Sequence, residues 1–472
     1  MSATERGTEF AARPVLLVAA VVGLVQLVAA GIGGGYWFDE AYMLAIGRDH
    51  LDLGSADQPP ITPALAAAVD WLAPGNILIL RLPAILATAG AVVLAALIAR
   101  ELGGDRRAQL VTALAQATTL WITMAGHWLT PYTLEPVQWL LILWLLVRWL
   151  RLRDDRLLLA LGVAAGLAVQ TKFQVVLLGA VLAASLLACG PRELLRRPLL
   201  WAGAGIALLL ALPTLWWQAR NGWPQLRMGE IVASEADALY GGRPGVAIAL
   251  IVMAGIAGTA LALYGTWRLL RTPELRFLGV TAVVLYVFFV VTVGRPYYLN
   301  GLYGVLFAAG ALGLQQRRLA GSRFGWVVWP GFALSAAAAA GMLAFSVVSA
   351  KPDVPQHIAR EAVGAYDELP AAERERTAVF GESYIVAAYI DLYAPRLTPA
   401  YSTNRSYGYF DPPPDSARDV LYVGKAPDEL RPHFADCREL RPVQEEMAVW
   451  HCTGRGEPWP QLWPRLRHLN VG

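Results

Sequence analysis

The sequence GGGYWFDEAYMLAIGRDHLDLGSADQPPITP, residues 33–63, follows directly on an apolar segment at 14–32. That segment is long enough to cross a bilayer. The quoted stretch places Asp39, Glu40 and Asp57 just beyond it. Charged side chains at the edge of a membrane are costly to keep, so they indicate function unless a structural role accounts for them. How these acids are interpreted depends on how the rest of the chain crosses the membrane.

The composition predicts a polytopic membrane protein. Of the 472 residues, 56% are hydrophobic and 16% are charged, whereas soluble domains carry about 25% charged residues. The mean hydropathy is +0.45. The first segment is too long for the apolar region of a signal peptide, so we expect a retained helix. About eleven transmembrane helices are predicted, at 14–35, 77–99, 108–126, 133–150, 157–171, 174–190, 199–217, 246–267, 277–293, 298–314 and 326–349.

The distribution of arginine predicts the orientation, because cytoplasmic loops hold the excess of basic residues. The N-terminal tail and alternate connections contain Arg6, Arg13, Arg100, Arg106, Arg107, Arg148, Arg151, Arg153, Arg156, Arg192, Arg196, Arg197, Arg268, Arg271, Arg276, Arg317, Arg318 and Arg323. The opposite connections are poorer in basic residues and contain acids. We therefore expect a cytoplasmic N-terminus and an outer loop at 36–76.

The composition changes after Ala350. Residues 351–472 are polar and proline-rich, which predicts a soluble extracytoplasmic α/β domain after a membrane domain at 1–350. TAVFG, DVLYVG and EMAVWHC are typical of strands, and ESYIVAAYIDLYA is typical of a helix. Cys437 and Cys452 lie at the edges of two expected adjacent strands and could form a disulfide in an oxidising compartment. Two unpaired thiols are the alternative.

The remaining unusual polar residues share one side of this topology. Besides the three acids, the outer helix ends and outer loops contain His127, Glu135, Lys172, Arg220, Arg295, Tyr297 and Tyr298. Together they predict a polar, substrate-binding cavity at the outer membrane surface. Structural alternatives exist for some of them. Asp39 could cap a helix, Lys172 could extend its amine to the interface, and the two tyrosines could be interfacial belt residues.

Two pairs of these residues suggest specific ligands. Lys172 and Arg295, at the same outer level, suit an anionic group such as a phosphate. His127 and Glu135 flank the same tight turn and are weak candidates for a divalent cation. We expect no other cofactor and no nucleic acid partner.

These landmarks, in this order, resemble the GT-C superfamily of membrane glycosyltransferases, and its protein O-mannosyltransferase and aminoarabinose transferase branch in particular. The resemblance covers residues 14–349. It rests on FDEAY, DQPPITP, TLEPVQW, TKFQ, WWQARNGWP and GRPYYLNGLYGVLFAAGALGL. Gln58 departs from the histidine of many relatives, and Glu135 from their aspartate.

The resemblance implies an enzyme of the cell envelope that transfers a sugar from a polyprenyl-phosphate carrier on the non-cytoplasmic face. The acceptor would be a hydroxyl of a glycan, a lipid or a protein. Asp39 matches the catalytic aspartate of the family. We expect Glu40 and Asp57 to belong to the same catalytic site, with Glu40 mainly supporting the position of Asp39. Lys172 and Arg295 fall where relatives carry basic residues near the lipid phosphate. The chemistry is consistent, because an acceptor hydroxyl needs a base and a departing phosphate needs fixed cations.

Two other classes of protein compete with this interpretation. A lipid or glycan transporter would use the same charges as a translocation path, but it is expected to show repeated halves and charges at the membrane midplane. A non-enzymatic assembly or sensor protein would leave the grouping of Asp39 with Lys172 unexplained. The placement of the charges at outer helix ends favours the enzyme.

The predicted topology can be tested with reporter fusions. A reporter that is active only outside the cytoplasm should be active when fused at Ala350 and silent when fused near Arg106, because arginine collects on the cytoplasmic side. Activity from the fusion near Arg106 would contradict the predicted orientation.

Overall fold

Helices make up most of the structure, and a small sheet is confined to its C-terminal part. The computed structural model describes residues 8–321 and 328–471. Arg6, Arg323 and positions 326 and 327 of the last predicted span lie outside the described residues. The predicted class, a helical membrane domain followed by a small α/β domain, is confirmed.

Each predicted transmembrane segment coincides with one helix or with two consecutive helices. A short helix, α2 Phe38–Asp49, follows the first segment. The helices up to residue 349 are α1 Ala12–Gly33, α2 Phe38–Asp49, α3 Ile61–Leu72, α4 Ile77–Glu101, α5 Arg106–Ala117, α6 Leu120–Ala125, α7 Pro131–Leu152, α8 Arg156–Val169, α9 Gln174–Cys189, α10 Pro198–Arg220, α11 Pro224–Tyr240, α12 Gly242–Val252, α13 Ile256–Arg271, α14 Arg276–Val291, α15 Asn300–Leu319 and α16 Val328–Ser349.

Several of these helices are long enough to span a membrane. Within residues 8–321 and 328–471, six are both long and apolar enough, or seven if α12 and α13 form one span bent by 96°. The helices α8 and α9 are apolar but shorter. The protein is therefore a multi-pass membrane protein, and the number of eleven crossings stays a prediction.

Two interrupted helices meet at their breaks. The backbone N–H of Leu120, at the start of α6, donates a hydrogen bond to the carbonyl of Met253 at the end of α12, at 2.9 Å. Gly255 has φ +81°, and a Cβ there would lie 2.6 Å from the Thr118 carbonyl oxygen. Only glycine fits both the left-handed backbone and the close approach. This contact fixes α6, which carries the aromatic residue Trp121.

The chain divides into two compact units. Unit 1 consists of Met1–Gly33, Leu78–Pro213 and Val232–Val348, and unit 2 consists of Gly34–Ile77, Thr214–Ile231 and Ser349–Gly472. Unit 2 therefore combines the predicted outer loop with the C-terminal part of the chain. The predicted boundary at residue 350 separates a membrane domain from an extracytoplasmic domain, and it stays a prediction.

The C-terminal part contains a four-stranded sheet. Its helices are α17 Asp353–Glu368, α18 Ala371–Arg374, α19 Tyr384–Tyr393 and α20 Trp459–Leu466, and its strands are β1 Thr377–Gly381, β2 Asp419–Gly424, β3 Phe434–Gln444 and β4 Met447–Arg455. The strand order is β1-β2-β4-β3, with β1 and β2 parallel and the other pairs antiparallel. The core contains Phe380, Val420 and Trp459. The three quoted sequence patterns correspond to β1, β2 and β4. Strand β3 was not among them, because most of its residues are exposed and it carries little apolar alternation.

Cys437 on β3 lies opposite Cys452 on β4, and a disulfide joins them. Among the described residues the free cysteine is Cys189, near the C-terminal end of α9. The disulfide closes a segment with a sequence separation of 15 residues across the edge of the sheet.

Thiol labelling can test this disulfide. Protein that is unfolded without reductant should take up a single alkylating label, at Cys189, and three labels after reduction. The variant Cys437→Ser should take up two labels without reductant, because Cys452 loses its partner. Three labels on the unreduced wild type, counted by mass spectrometry, would contradict the disulfide.

Candidate active site

Asp39 occupies the second position of α2, not the cap. The helix begins at Phe38 after the cap residue Trp37. Glu40 performs the capping, since its Oε2 accepts a hydrogen bond from the backbone N–H of Trp37 at 3.0 Å. Glu40 is buried. The capping alternative considered for Asp39 therefore applies to its neighbour Glu40.

The Asp39 carboxylate faces helix α19 within unit 2. The Tyr384 hydroxyl donates a hydrogen bond to Asp39 Oδ1 at 3.4 Å. The Tyr384 ring packs on Tyr42 of α2, with ring centroids 4.5 Å apart. The first turn of α19 therefore lies against the first turns of α2.

The Asp57 carboxylate joins separate segments of unit 2. Its Oδ1 accepts hydrogen bonds from the Tyr42 hydroxyl at 2.8 Å and from the Ser406 hydroxyl at 2.7 Å. Its Oδ2 accepts one from the Gln58 amide at 3.1 Å. Burial and the Asp57 charge raise the pKa of Tyr42, so its hydroxyl remains a donor. Asp57 is thus held by α2 and by the segment that contains Ser406.

The Ser406 segment is itself anchored in unit 2. The backbone N–H of Ser406 donates to the Tyr42 hydroxyl at 3.0 Å, and the Tyr407 hydroxyl donates to Asp391 Oδ2 at 2.6 Å. Burial raises the pKa of Asp391 to about 7, although the Tyr407 hydrogen bond opposes that change. Arg220, the fourth predicted residue in this unit, is exposed at the end of α10, with its guanidinium 5.7 Å from the Trp216 ring.

In unit 1, Lys172 forms an ion pair with Glu135. Lys172 Nζ lies 3.2 Å from Glu135 Oε2, and their side chains are 19% and 8% exposed. Lys172 sits in the short connection between α8 and α9, and Glu135 in the first turns of α7. The connection is tied to α7 by the Gln138 amide, which donates to the Thr171 hydroxyl at 2.8 Å.

Aromatic rings surround the Lys172 amine. Its Nζ lies 4.9 Å from the ring centroids of both Tyr297 and Tyr298, a distance at which cations are attracted to aromatic faces. Tyr297 stacks on Trp121 at 4.2 Å and contacts Tyr132 at 5.2 Å. Trp121 and Tyr132 also line a small cavity, whose other walls are Thr88, Ala91, Ile122, Ala125, Gly126, Thr133 and Pro136. The structure thus brings together four of the predicted residues, Glu135, Lys172, Tyr297 and Tyr298.

Arg295 lies in the turn between α14 and α15 and pairs with Glu235 of α11. Two residues before it, Val293 has φ +51°, an outlier for a β-branched side chain. Such strain is found at functional sites when the surrounding structure maintains it. Both cations predicted to bind phosphate are therefore paired with a carboxylate on a separate helix.

His127 is buried, and its ring nitrogens face protein partners. Nδ1 is 2.7 Å from Gln26 Oε1, and Nε2 is 3.5 Å from Ser346 Oγ. Among the described residues, the structure groups no three His, Cys, Asp or Glu side chains in a way that could hold a metal ion. A divalent cation at His127 and Glu135 stays a prediction.

Several partners of the predicted residues were missed at the sequence level. Tyr384 and Ser406 lie more than 340 residues from the acids that they contact, so no local pattern links them. Trp121 and Glu235 were also missed, because the chain contains 17 tryptophans and the outer connections contain several acids, so neither residue stood out.

Comparisons with known proteins agree on the fold. Residues 57–217 match the family model described as dolichyl-phosphate-mannose-protein mannosyltransferase. The chain has no significant match among curated protein sequences. ArnT from Cupriavidus metallidurans, both in the apo state and bound to undecaprenyl phosphate, is 16% identical with a TM-score of 0.64, over 93% of this chain and 97% of that one.

Two further structures share the architecture. The arabinofuranosyltransferase AftD from Mycobacteria is 14% identical with a TM-score of 0.55, over 94% of this chain and 40% of that one. The oligosaccharyltransferase of Archaeoglobus fulgidus in the apo form is 13% identical with a TM-score of 0.52, over 80% of this chain and 64% of that one. At these identities the structures show a common fold. The chain therefore shares the fold of these three transferases, and its family match covers residues 57–217.

Proposed function

We propose that the protein transfers a sugar from a polyprenyl-phosphate-linked donor to an acceptor hydroxyl on the non-cytoplasmic face of the membrane. The family that matches residues 57–217 is named for a dolichyl-phosphate-linked donor, and ArnT, which shares the fold, was solved with undecaprenyl phosphate. Both names describe a sugar or a phosphate on a polyprenyl lipid. The acceptor hydroxyl belongs to a glycan, a lipid or a protein.

The environment of Lys172 carries this proposal. The chain contains three lysines, and Lys172 is the one within the predicted membrane domain. Its amine lies among Glu135, Tyr297 and Tyr298. A lysine used only to reach the interface would extend its amine into water, whereas this side chain is 19% exposed. A partly buried ammonium suits a lipid-linked phosphate.

The Lys172–Glu135 pair also indicates how a phosphate would be bound. A charged group at membrane depth needs a partner, and Glu135 supplies one in this structure. A donor phosphate carries the same sign of charge and can take the place of the carboxylate at the amine. The Arg295–Glu235 pair offers a second cation with the same kind of internal counter-ion. We assign donor phosphate binding to Lys172 and Arg295.

The proposed reaction has a balanced set of steps. The bond between the anomeric carbon and the phosphate oxygen breaks, and a bond forms from the acceptor oxygen to the same carbon. The acceptor proton passes to Asp39, and the polyprenyl phosphate leaves with its bonding electrons and its negative charge. Lys172 and Arg295 stabilise that charge.

Asp39 suits the role of general base because Glu40, and not Asp39, caps the start of α2. Glu40 bonds the backbone N–H of Trp37, and the Asp39 carboxylate accepts a hydrogen bond from the Tyr384 hydroxyl. Glu40 and Asp57 then support the shape of the loop that carries Asp39. His127, Glu135, Arg220, Tyr297 and Tyr298 remain proposed substrate-binding residues.

The variant Asp39→Asn tests the base. We expect turnover of radiolabelled polyprenyl-phosphate sugars to fall about 10²- to 10⁴-fold, because an amide cannot accept the acceptor proton. Donor affinity and thermal stability should stay near wild type. The measurement is loss of label from the lipid, with donor binding and thermal midpoint recorded on the same preparation.

A matched control lies on the same helix. Asp49, exposed near the C-terminal end of α2, should tolerate the change to Asn with normal turnover. Near-normal turnover of Asp39→Asn would exclude the base role. A loss of stability in step with activity would make Asp39 a structural residue.

The variant Lys172→Ala tests the phosphate site. Losing a charge-assisted hydrogen bond costs about 1.5–3 kcal/mol, so donor affinity should weaken roughly ten- to a hundredfold. Lys172→Arg should restore binding only in part, because a planar guanidinium does not replace a compact ammonium. Donor binding in detergent or nanodiscs is the measurement.

The control for Lys172 is another lysine that pairs with a glutamate. Lys425 lies 2.9 Å from Glu446 on the exposed surface of the C-terminal part, and Lys425→Ala should leave donor affinity unchanged. The double variant Lys172→Met with Glu135→Gln removes both charges and leaves no buried carboxylate alone. Wild-type affinity in that double variant would exclude a role for Lys172 in phosphate binding.

A further inference from the structure

The C-terminal part of the chain contacts the proposed base directly. The Tyr384 hydroxyl lies 3.4 Å from Asp39 Oδ1, across 345 residues of sequence. Tyr384 is mostly buried, with 7% of its surface exposed. A buried tyrosine hydroxyl usually finds a hydrogen-bond partner, and here an acidic oxygen is within reach.

The position of Tyr384 is fixed by its own surroundings in unit 2. It is the first residue of α19, directly after the cap residue Ser383, and its backbone N–H donates to Asn404 Oδ1 at 2.6 Å. Its ring packs on Tyr42, and Ala41 and Ala45 of α2 are fully buried. The ring contact with Tyr42 and the hydrogen bond to Asn404 keep the Tyr384 side chain against α2.

Other charged and titratable groups lie near Asp39 or Tyr384. Burial raises the pKa of Tyr389 on α19, and the negative charges of Asp39 and Glu40 raise it further. The Arg405 guanidinium lies 6.0 Å from the Tyr384 ring. The backbone of Arg405 is left-handed, with φ +52°. Arg405 is mostly buried, so its positive charge is held near the Tyr384 ring.

We propose that Tyr384 is a positioning residue for Asp39, so that the C-terminal part completes the proposed active site instead of only covering it. This inference rests on the proposed function, because it takes Asp39 to be the general base. The hydroxyl orients the carboxylate by donating to Oδ1. It also favours the ionised form of the carboxylate, which is the form that can act as a base.

The test is the pH dependence of kcat/KM in Tyr384→Phe. Removing a donor to a carboxylate makes the carboxylate easier to protonate, so the acid limb of the profile should move to higher pH, by about one unit. On the plateau, where the carboxylate is ionised in both proteins, turnover should fall by less than about tenfold. A residue with a purely structural role would lower activity without moving the limb.

A second substitution reverses the sign of the effect. Site-specific 3-fluorotyrosine at position 384 keeps the shape of the side chain and makes its hydroxyl a stronger donor. The acid limb should then move to lower pH, in a protein whose packing is unchanged. The fluorinated protein also provides the test if Tyr384→Phe does not fold.

The matched control is Tyr393, at the other end of α19. Its hydroxyl accepts a hydrogen bond from the backbone N–H of Tyr36 at 3.3 Å, so Tyr393→Phe removes a contact between α19 and the segment before α2 while the Tyr384 hydroxyl stays in place. The acid limb of the kcat/KM profile of Tyr393→Phe should coincide with that of the wild type. If the acid limb stays in place in both Tyr384→Phe and the 3-fluorotyrosine protein, while Asp39→Asn is inactive, the role of Tyr384 is overturned and that of Asp39 stands. Normal turnover of Asp39→Asn would overturn the base and this inference together.

Discussion

The carboxylate of Asp57 is the acceptor on which the organisation of unit 2 depends. It accepts hydroxyl donors from Tyr42 on α2 and from Ser406 in the C-terminal part, and these segments are far apart in sequence. Hydrogen bonds to a charged acceptor are stronger than those between neutral groups. Removing this acceptor would break both hydrogen bonds, and each bond to a charged group contributes about 1.5–3 kcal/mol. The helix that carries Asp39 is therefore oriented by a residue that need not take part in the reaction.

Unit 1 is governed by the cost of keeping charge away from water. Lys172 pairs with Glu135, and Arg295 pairs with Glu235. Elsewhere in the same unit, Glu101 is buried and its carboxylate is bound by Arg148 at 2.8 Å and by Arg151. A lone ion would be expensive in such surroundings, so each charge is matched inside the protein. Two of these matched pairs contain the cations to which we assign phosphate binding, which links the folding requirement to the chemistry.

The sequence was most informative where local patterns decide the structure. Hydropathy located the apolar helices because each depends on its own residues, and strand patterns located β1, β2 and β4. It was less informative about contacts. Lys172 and Glu135 were each selected for their chemistry, but as a phosphate ligand and a possible metal ligand, not as an ion pair. Glu40 was expected to assist Asp39, and its hydrogen bond to Trp37 also resolved which of the two acids caps α2. Tyr384 and Ser406 could not be found, because only the folded chain brings them to α2 and Asp57.

The discontinuity of unit 2 has a consequence for the order of events during synthesis. Asp57 and Ser406 are 349 residues apart. At 5–20 residues per second, a ribosome needs roughly 20 to 70 seconds to supply the second partner after the first. During that interval the early loop has its acids but not the hydroxyls that hold them. Chains that end early, through a frameshift or proteolysis, would keep most of their apolar helices and still lack this part of the site. Activity would then appear only once translation has passed the residues that complete unit 2, so the fold itself would separate finished molecules from unfinished ones.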